Sequence, residues 1–201
     1  MNYLAHIYLA RHDNAAMLGA LLGDFAKANV AGKYAPLIET EILLHRKIDS
    51  YTDSHAVTKA ALQRFAPGRR RFAGIVLDVF YDHLLAKDWP SYSDVPLQEF
   101  VQNFYRTLDT HHHLLPPKLL DIAPRMAEQN WLGSYQDFRS VEFAVNRISQ
   151  RLSRDGNLLR EALLDLEAHH TALTAGFAHF FPELMQFAEA ERNRLRQKNT
   201  G

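Results

Sequence analysis

Apolar residues recur every three to four positions along most of this chain, and they almost never alternate with polar residues. The first spacing is that of one face of an α-helix, whereas alternation would indicate half-buried strands. We therefore predict an all-α fold, a helical bundle. The chain has no internal repeat, low-complexity tract or evident linker, and its 201 residues suit one domain, predicted to span residues 1–201.

Proline and glycine residues divide this pattern into separate helices. The predicted helices cover about residues 2–10, 15–30, 36–53, 56–65, 69–87, 96–110, 117–129, 134–152 and 158–180, and a last one begins at Pro182. Asn2 is predicted to cap the first helix with its side chain. The helix at 15–30 is apolar on nearly every side, so we expect it to be buried.

Polar groups that can bind a metal interrupt the apolar pattern in the stretch EILLHRKIDSYTD at 41–53. At about 100° per residue, His45, Asp49 and Thr52 form one stripe directly beside an apolar stripe. An imidazole and a carboxylate four residues apart, at the edge of a buried face, can share a metal ion. An ordinary polar helix edge is the alternative for this pair taken alone.

Carboxylates replace hydrophobic residues in a second stretch, IVLDVFYDHLL at 75–85. Asp78 and Asp82 lie on a stripe of apolar residues that should face the core. An unpaired buried carboxylate is very costly, so basic side chains, backbone donors, a shared proton or a cation must compensate these two. His83 is within reach of the same pocket. A buried salt-bridge network is the alternative to a metal site here.

The first half of the chain holds several more imidazoles and carboxylates on or beside apolar helical faces. Taken together, they predict one cation site formed by separate helices, although a lone core histidine is the alternative for His6. Because the chain has no cysteine, the ligands would be nitrogen and oxygen, which suit manganese, iron, zinc or magnesium. The residues are His6, Asp24, His45, Asp49, Asp78, Asp82 and His83.

Composition narrows the possible partners. Basic and acidic residues each number 23, so the formal net charge is +0 and no global field attracts nucleic acid or anionic membranes. No stretch approaches the roughly 18 apolar residues of a membrane span. The N-terminal stretch lacks the basic and apolar regions of a signal peptide. We expect a soluble cytoplasmic protein with neither a nucleic-acid nor a membrane partner.

Several rare motifs occur in a defined order along nearly the whole chain. They are MNYLAHIYLA at the start, LLGDF at 21–25, HRKIDSYTD at 45–53, LDVFYDHLL at 77–85, PLQEF at 96–100 and DLEAHHTAL at 165–173. With these motifs the chain resembles the acyl carrier protein phosphodiesterase family, which is similar to the HD-domain metal phosphohydrolases. The adjacent pair at 82–83 is Asp-His, whereas the standard HD pattern has His-Asp.

The resemblance implies an all-α HD-like fold and hydrolysis of holo-acyl carrier protein to apo-protein and 4′-phosphopantetheine. It also implies a divalent cation, usually Mn²⁺, with Mg²⁺, Fe²⁺ or another ion possible. The expected metal ligands are Asp24, His45, Asp78, Asp82 and His6. Asp24 or Asp49 would accept the proton of the attacking water, and His83 would protonate the leaving serine oxygen. Arg46 or Thr52 would hold the phosphate.

The resemblance further implies an acidic carrier protein as substrate, so a chain of zero net charge needs a local basic patch. Arg69, Arg70 and Arg71 in GRRRF are the expected patch, and a solvated basic helix start is the alternative. Two other functions remain open. An HD-type phosphohydrolase of a small nucleotide would need the metal without a docking patch. A non-catalytic all-α ligand-binding module would need neither.

Overall fold

The regular structure is helical throughout the part of the chain that the computed structural model describes, residues 1–27 and 29–199. This confirms the predicted all-α class. The eleven α-helices in these ranges are α1 Tyr3–Leu9, α2 Asn14–Leu22, α3 Pro36–Ser54, α4 Ala56–Leu62, α5 Ala73–Lys87, α6 Leu97–Thr110, α7 Pro117–Glu128, α8 Trp131–Ser134, α9 Arg139–Ser149, α10 Gly156–Ala168 and α11 His170–Asn199. Short 3₁₀ turns lie at Arg70–Phe72, Trp89–Ser91 and His112–Leu114.

Most predicted helix ends agree with the structure, but three do not. Helix α2 ends at Leu22 rather than near residue 30, and irregular backbone follows it. The helix predicted at 134–152 begins later and ends earlier, as α9 at Arg139–Ser149, and the short α8 precedes it. The break predicted before Pro182 lies instead at His169, because α11 continues through Pro182. A proline removes one helical hydrogen bond, and packing of the neighbouring turns outweighs this local cost.

Helix α1 lies in the interior, where all residues from Leu4 to Leu9 are buried. It packs between α2 and α5, and α3 packs against α2 on one side and α11 on the other. The buried Arg192 of α11 links three helices, since its Nε donates to Glu41 Oε1 of α3 at 2.6 Å and its Nη2 donates to Leu9 O at 2.7 Å. This arrangement brings the polar stripe of α3 opposite α1.

Two glycines allow α2 and the turn after it to approach α3 unusually closely. A Cβ atom added at Gly19 would lie 2.6 Å from the carbonyl oxygen of Ile38. A Cβ atom at Gly23 would lie 2.1 Å from Cγ of His45. The requirement is space, because Gly23 has an ordinary helical backbone conformation. In the described part of the chain, no helix has both the length and the apolar character needed to cross a membrane.

Candidate metal centre

Two imidazoles and one carboxylate converge between α1 and α3. His6 Nε2 lies 3.1 Å from Asp49 Oδ1, and His45 Nε2 lies 3.2 Å from Asp49 Oδ2. One ligand atom from each of the three residues lies within 4.8 Å of the other two. This spacing allows a single ion to contact all three, and nitrogen and carboxylate ligands of this kind suit divalent transition metals.

His45 is held in place by its surroundings on the α2 side. Its Nδ1 lies 2.7 Å from the backbone oxygen of Ala20, so Nδ1–H donates to that oxygen and Nε2 faces Asp49. A second hydrogen bond of this kind is how proteins orient metal-binding histidines and set their tautomer. The absence of a side chain at Gly23 leaves the space that the His45 ring occupies.

His6 completes the pair of imidazoles from the other helix. Its ring stacks on that of His45, with centroids 3.7 Å apart and planes 16° from parallel. Burial, and then the neighbouring His45, lowers the pKa of His6 to about 4, so this imidazole is neutral near pH 7. A neutral imidazole is the form that binds metals.

The second imidazole has the opposite protonation behaviour. Burial disfavours the charged form of His45, but hydrogen bonds and charges of Asp24 and Asp49 more than offset this and raise its pKa to about 9. Burial likewise opposes ionisation of Asp49, yet hydrogen bonds with His45 and His6 hold the pKa of Asp49 well below its usual range. In the metal-free centre His45 is therefore protonated on both nitrogens, and a divalent cation must displace the proton on Nε2.

The sequence comparisons assign the chain to a family. A family model described as acyl carrier protein phosphodiesterase matches residues 1–184. The chain is 36% identical over 196 residues to the acyl carrier protein phosphodiesterases of Salmonella agona (strain SL483) and Salmonella newport (strain SL254), which covers 97% of this chain and 100% of each relative. The chain belongs to the acyl carrier protein phosphodiesterase family. No solved structure is significantly similar to it, so the expected HD-like fold stays a prediction.

In this family member, Asp82 contacts the start of α1. Its two oxygens accept hydrogen bonds from the backbone N–H groups of Leu4 at 2.8 Å and Ala5 at 3.0 Å. These groups lack partners within the helix, so Asp82 caps α1 from a distant helix. Asn2 was the predicted cap, but its side chain donates to the Tyr135 hydroxyl instead. Burial raises the pKa of Asp82 to about 7, although the two N–H groups oppose this shift.

Asp24 and Asp78 lie at the rim of the triad formed by His6, His45 and Asp49. Asp24 Oδ1 is 3.6 Å from His45 Nε2, and its side chain is 41% exposed in the turn after α2. Asp78 Oδ1 is 3.0 Å from the amino nitrogen of Met1, which is 3.6 Å from Asp49 Oδ1. Asp24 therefore contacts the centre directly, whereas Asp78 is linked to it through the Met1 amino group.

His83 belongs to a different cavity. Its Nδ1–H donates to the backbone oxygen of Tyr135 at 2.7 Å, and its buried Nε2 has no hydrogen-bond partner among the described residues. The cavity has a volume of about 680 Å³ and is also lined by Lys87, Phe138 and His170. No hydrogen bond, ion pair or ring contact in the described chain joins His83 to the triad. Its predicted role as a catalytic acid stays a prediction that these contacts do not support.

The two residues expected to hold phosphate lie on α3 next to the triad. Arg46 Nη2 donates to the backbone oxygen of Lys27 at 2.8 Å, which holds its guanidinium beside the loop after Asp24. Thr52 is buried one turn after Asp49, and its hydroxyl oxygen has no hydrogen-bond partner in the described residues. Their positions agree with a phosphate-binding role without testing it.

Most of the positive charge of the expected docking patch is paired within the protein. Arg69 forms two hydrogen bonds of 2.8 Å with the carboxylate of Asp165 in α10. Arg71 Nη2 lies 2.6 Å from Asp155 Oδ2, and Arg70 donates to backbone oxygens at 3.4 Å. The contacts of Arg69 and Arg71 attach the turn before α5 to α10 and to the residue directly before it, so the docking role of the three arginines stays a prediction.

Gly23 is the residue of the centre that our sequence analysis missed. It lies inside LLGDF, between the buried end of α2 and Asp24. Gly19 and Gly23 are four residues apart, a spacing that indicates close helix contact, but the sequence does not show which side chain fills the space.

Proposed function

We propose that this chain is a metal-dependent phosphodiesterase that hydrolyses holo-acyl carrier protein to apo-acyl carrier protein and 4′-phosphopantetheine. The observation that carries the proposal is the triad of His6, His45 and Asp49, in a chain whose relatives are named for this reaction along their whole length. Family membership favours the carrier substrate over a small nucleotide, and over a module without activity. The cytoplasmic location and the lack of a nucleic-acid partner stay predictions.

The donor set fits a divalent transition metal held by His6, His45 and Asp49. Two imidazole nitrogens favour Mn²⁺, Fe²⁺ or Zn²⁺ over Mg²⁺, which prefers oxygen ligands. Among these ions we propose Mn²⁺. When bound, the ion would supply Lewis acidity to water and positive charge to the phosphate.

Three residues around the triad have separate roles in the proposed reaction. Asp24 accepts a proton from the water that attacks phosphorus, because its carboxylate is exposed and lies beside His45. Arg46 and the Thr52 hydroxyl donate to the phosphate oxygens, on which negative charge increases in the transition state. The bond from phosphorus to the carrier's serine oxygen breaks, and this oxygen takes a proton from solvent at the exposed side of the centre.

The test is the mass of the carrier protein after incubation with this chain and Mn²⁺. We expect a loss equal to 4′-phosphopantetheine, prevented by a chelator and restored by added Mn²⁺. An unchanged carrier mass with folded, Mn²⁺-loaded protein would overturn the proposal. Release of phosphate from nucleotides under the same conditions, with an intact holo-carrier, would support the small-nucleotide alternative.

A further inference from the structure

Four basic side chains on two neighbouring stretches of the surface have no ion-pair partner among the described residues. They are Lys118 and Arg125 on α7, Arg147 near the end of α9, and Arg151 just after it. We call these four residues the α7–α9 surface. The arginines at 69 and 71 are paired with carboxylates, so the two basic regions differ in the charge that they offer to a partner.

The charges of the α7–α9 surface act on one another. The Arg147 guanidinium lies over the Trp131 ring, 3.9 Å from its centroid. Burial, together with the charges of Arg151 and Arg125, lowers the pKa of Arg147, so these three cations lie close enough to repel. Like charges that face one another reduce stability, and an anionic partner would offset that cost.

This surface borders the metal centre. Tyr3 lies on α1 one turn before His6, and its ring centroid is 6.1 Å from that of Phe25, the residue after Asp24. Lys118 Nζ lies 5.8 Å from the centroid of the same Phe25 ring. Burial and the charge of Asp24 raise the pKa of the Tyr3 hydroxyl to about 12, and the charge of Arg151 opposes this rise, so both charged groups lie near this hydroxyl.

The same surface offers an apolar contact. Phe143 on α9 is 71% exposed and lies one helical turn before Arg147. An exposed aromatic ring beside cations is typical of a protein-binding surface, in which an apolar contact is surrounded by charged residues. The surface is local, because the chain as a whole has no net charge.

We propose that the α7–α9 surface docks an acidic face of the carrier protein and so presents its phosphodiester to the triad. This inference rests on the proposed function, from which the identity of the partner comes. It places the docking site on the Tyr3 side of the centre rather than at Arg69–Arg71. Charge complementarity of this kind acts on encounter and binding, and leaves the chemical step unchanged.

The experiment reverses two exposed charges of the surface and compares them with a matched control. Arg125→Glu/Arg151→Glu changes residues whose side chains make no hydrogen bond in the described structure. The control, Lys59→Glu/Arg106→Glu, makes the same change of charge at exposed residues of α4 and α6 that form no ion pair among the described residues. Each protein is assayed with holo-carrier and with bis(p-nitrophenyl) phosphate, a small diester that needs no docking surface.

We expect kcat/KM for the holo-carrier to fall at least about tenfold in Arg125→Glu/Arg151→Glu, through a higher KM at similar kcat. Hydrolysis of the small diester and all values of the control should match the wild type. Added salt should raise the wild-type KM more than that of the variant, because salt screens exposed charges. Equal kinetics in variant and control, or loss of activity toward both substrates, would overturn the docking assignment.

Failure of the docking proposal can be separated from failure of the proposed function. If the wild type releases no 4′-phosphopantetheine, the function fails, and carrier binding measured by calorimetry still tests the surface. Weaker carrier binding by Arg125→Glu/Arg151→Glu than by the control would support the surface. If Arg125→Glu/Arg151→Glu loses binding to phosphatidylglycerol vesicles but binds the carrier as the wild type does, the surface binds membranes and the docking proposal is overturned.

Discussion

Helices α3 and α5 each carry two polar side chains four residues apart, yet the structure uses the two pairs differently. On α3, His45 and Asp49 meet the imidazole of His6 in the metal centre. On α5, Asp82 turns both oxygens to the backbone of α1, and Asp78 stays at the rim. Equal spacing gives a shared helical face, but the group opposite that face decides whether a carboxylate meets a metal or a helix end.

The two helices are nevertheless coupled through α1. Asp82 fixes the first turn of α1, and His6 lies in the next turn of that helix. Asp49 therefore contacts the centre directly, whereas Asp82 positions one of its members. Substitution of Asp49 should therefore reduce activity more than stability, and substitution of Asp82 should reduce stability more than activity.

The largest effect is expected for Asp49→Asn. Loss of the carboxylate that joins His6 and His45 should reduce hydrolysis of the holo-carrier by about a thousandfold, equivalent to about 4 kcal/mol of activation free energy. Stability should fall by less than in Asp82→Ala, because the Asp49 side chain is 41% exposed, although its contacts with His6 and His45 are lost. Asp53→Asn, an exposed position one turn further along α3, is the control and should keep wild-type kinetics. Retained activity in Asp49→Asn would remove this residue from the centre.

Asp82→Ala should reverse that pattern. The substitution leaves the N–H groups of Leu4 and Ala5 buried without acceptors, so the free energy of unfolding should fall by about 3 kcal/mol. Urea denaturation of the metal-free protein measures this value. Asp78→Ala, one turn earlier on the same helix and 43% exposed, should lose less stability. Equal losses in the two variants would contradict the capping role of Asp82.

Gly23→Ala tests how the α2 side positions His45. The added methyl would occupy the space of the imidazole, so we expect metal affinity to weaken about ten- to a hundredfold, as for other changes around metal ligands. Calorimetric titration with Mn²⁺ measures this effect. Gly74→Ala is the matched control, because no atom lies within 4 Å of its added Cβ, and an alanine stabilises a helix by up to about 1 kcal/mol. Unchanged affinity in Gly23→Ala would show that His45 tolerates displacement.

The last prediction is a dependence on pH, with a change in metal affinity of about tenfold for each pH unit. The folded pKa of His45 is raised from 6.5 to about 9, so its ion pair stabilises the metal-free fold fully below about pH 6.5 and is lost as pH rises through about 9. Metal binding has the opposite sign, because the ion displaces this proton. The dissociation constant for Mn²⁺ should decrease about tenfold per pH unit between about pH 7 and 9. An affinity independent of pH would show that His45 is already neutral or is not a ligand.

Much of the centre could be predicted from the sequence because its signals are local. The stripe of His45 and Asp49 needs only helical periodicity, and chemistry unusual for a buried face indicated Asp82 and His6. The partner of each group depends on contacts between distant segments, such as the 78 residues that separate Asp82 from Leu4. His83 is a second example. It follows Asp82 directly in sequence, so its side chain leaves the helix in another direction and lines a different cavity.

The fold could be predicted from the sequence to a similar extent. Periodicity and proline positions gave the helical class and most helix ends. The exceptions follow from packing. Helix α2 ends where the turn at Gly23 must admit the His45 ring, and α11 continues through the exposed Pro182, where Phe180, Phe181 and Leu184 are buried. The α7–α9 surface was also missed, because its cations are scattered in sequence and meet only in the folded chain.

The most direct test of the central claim is pulsed electron paramagnetic resonance of Mn²⁺ bound to the wild-type protein. If one ion lies between His6, His45 and Asp49, the spectrum should show nitrogen couplings from two imidazoles, and His6→Ala should reduce them to one. Mn²⁺ that binds without nitrogen coupling, or whose couplings are unchanged in His6→Ala, would contradict the proposed metal centre.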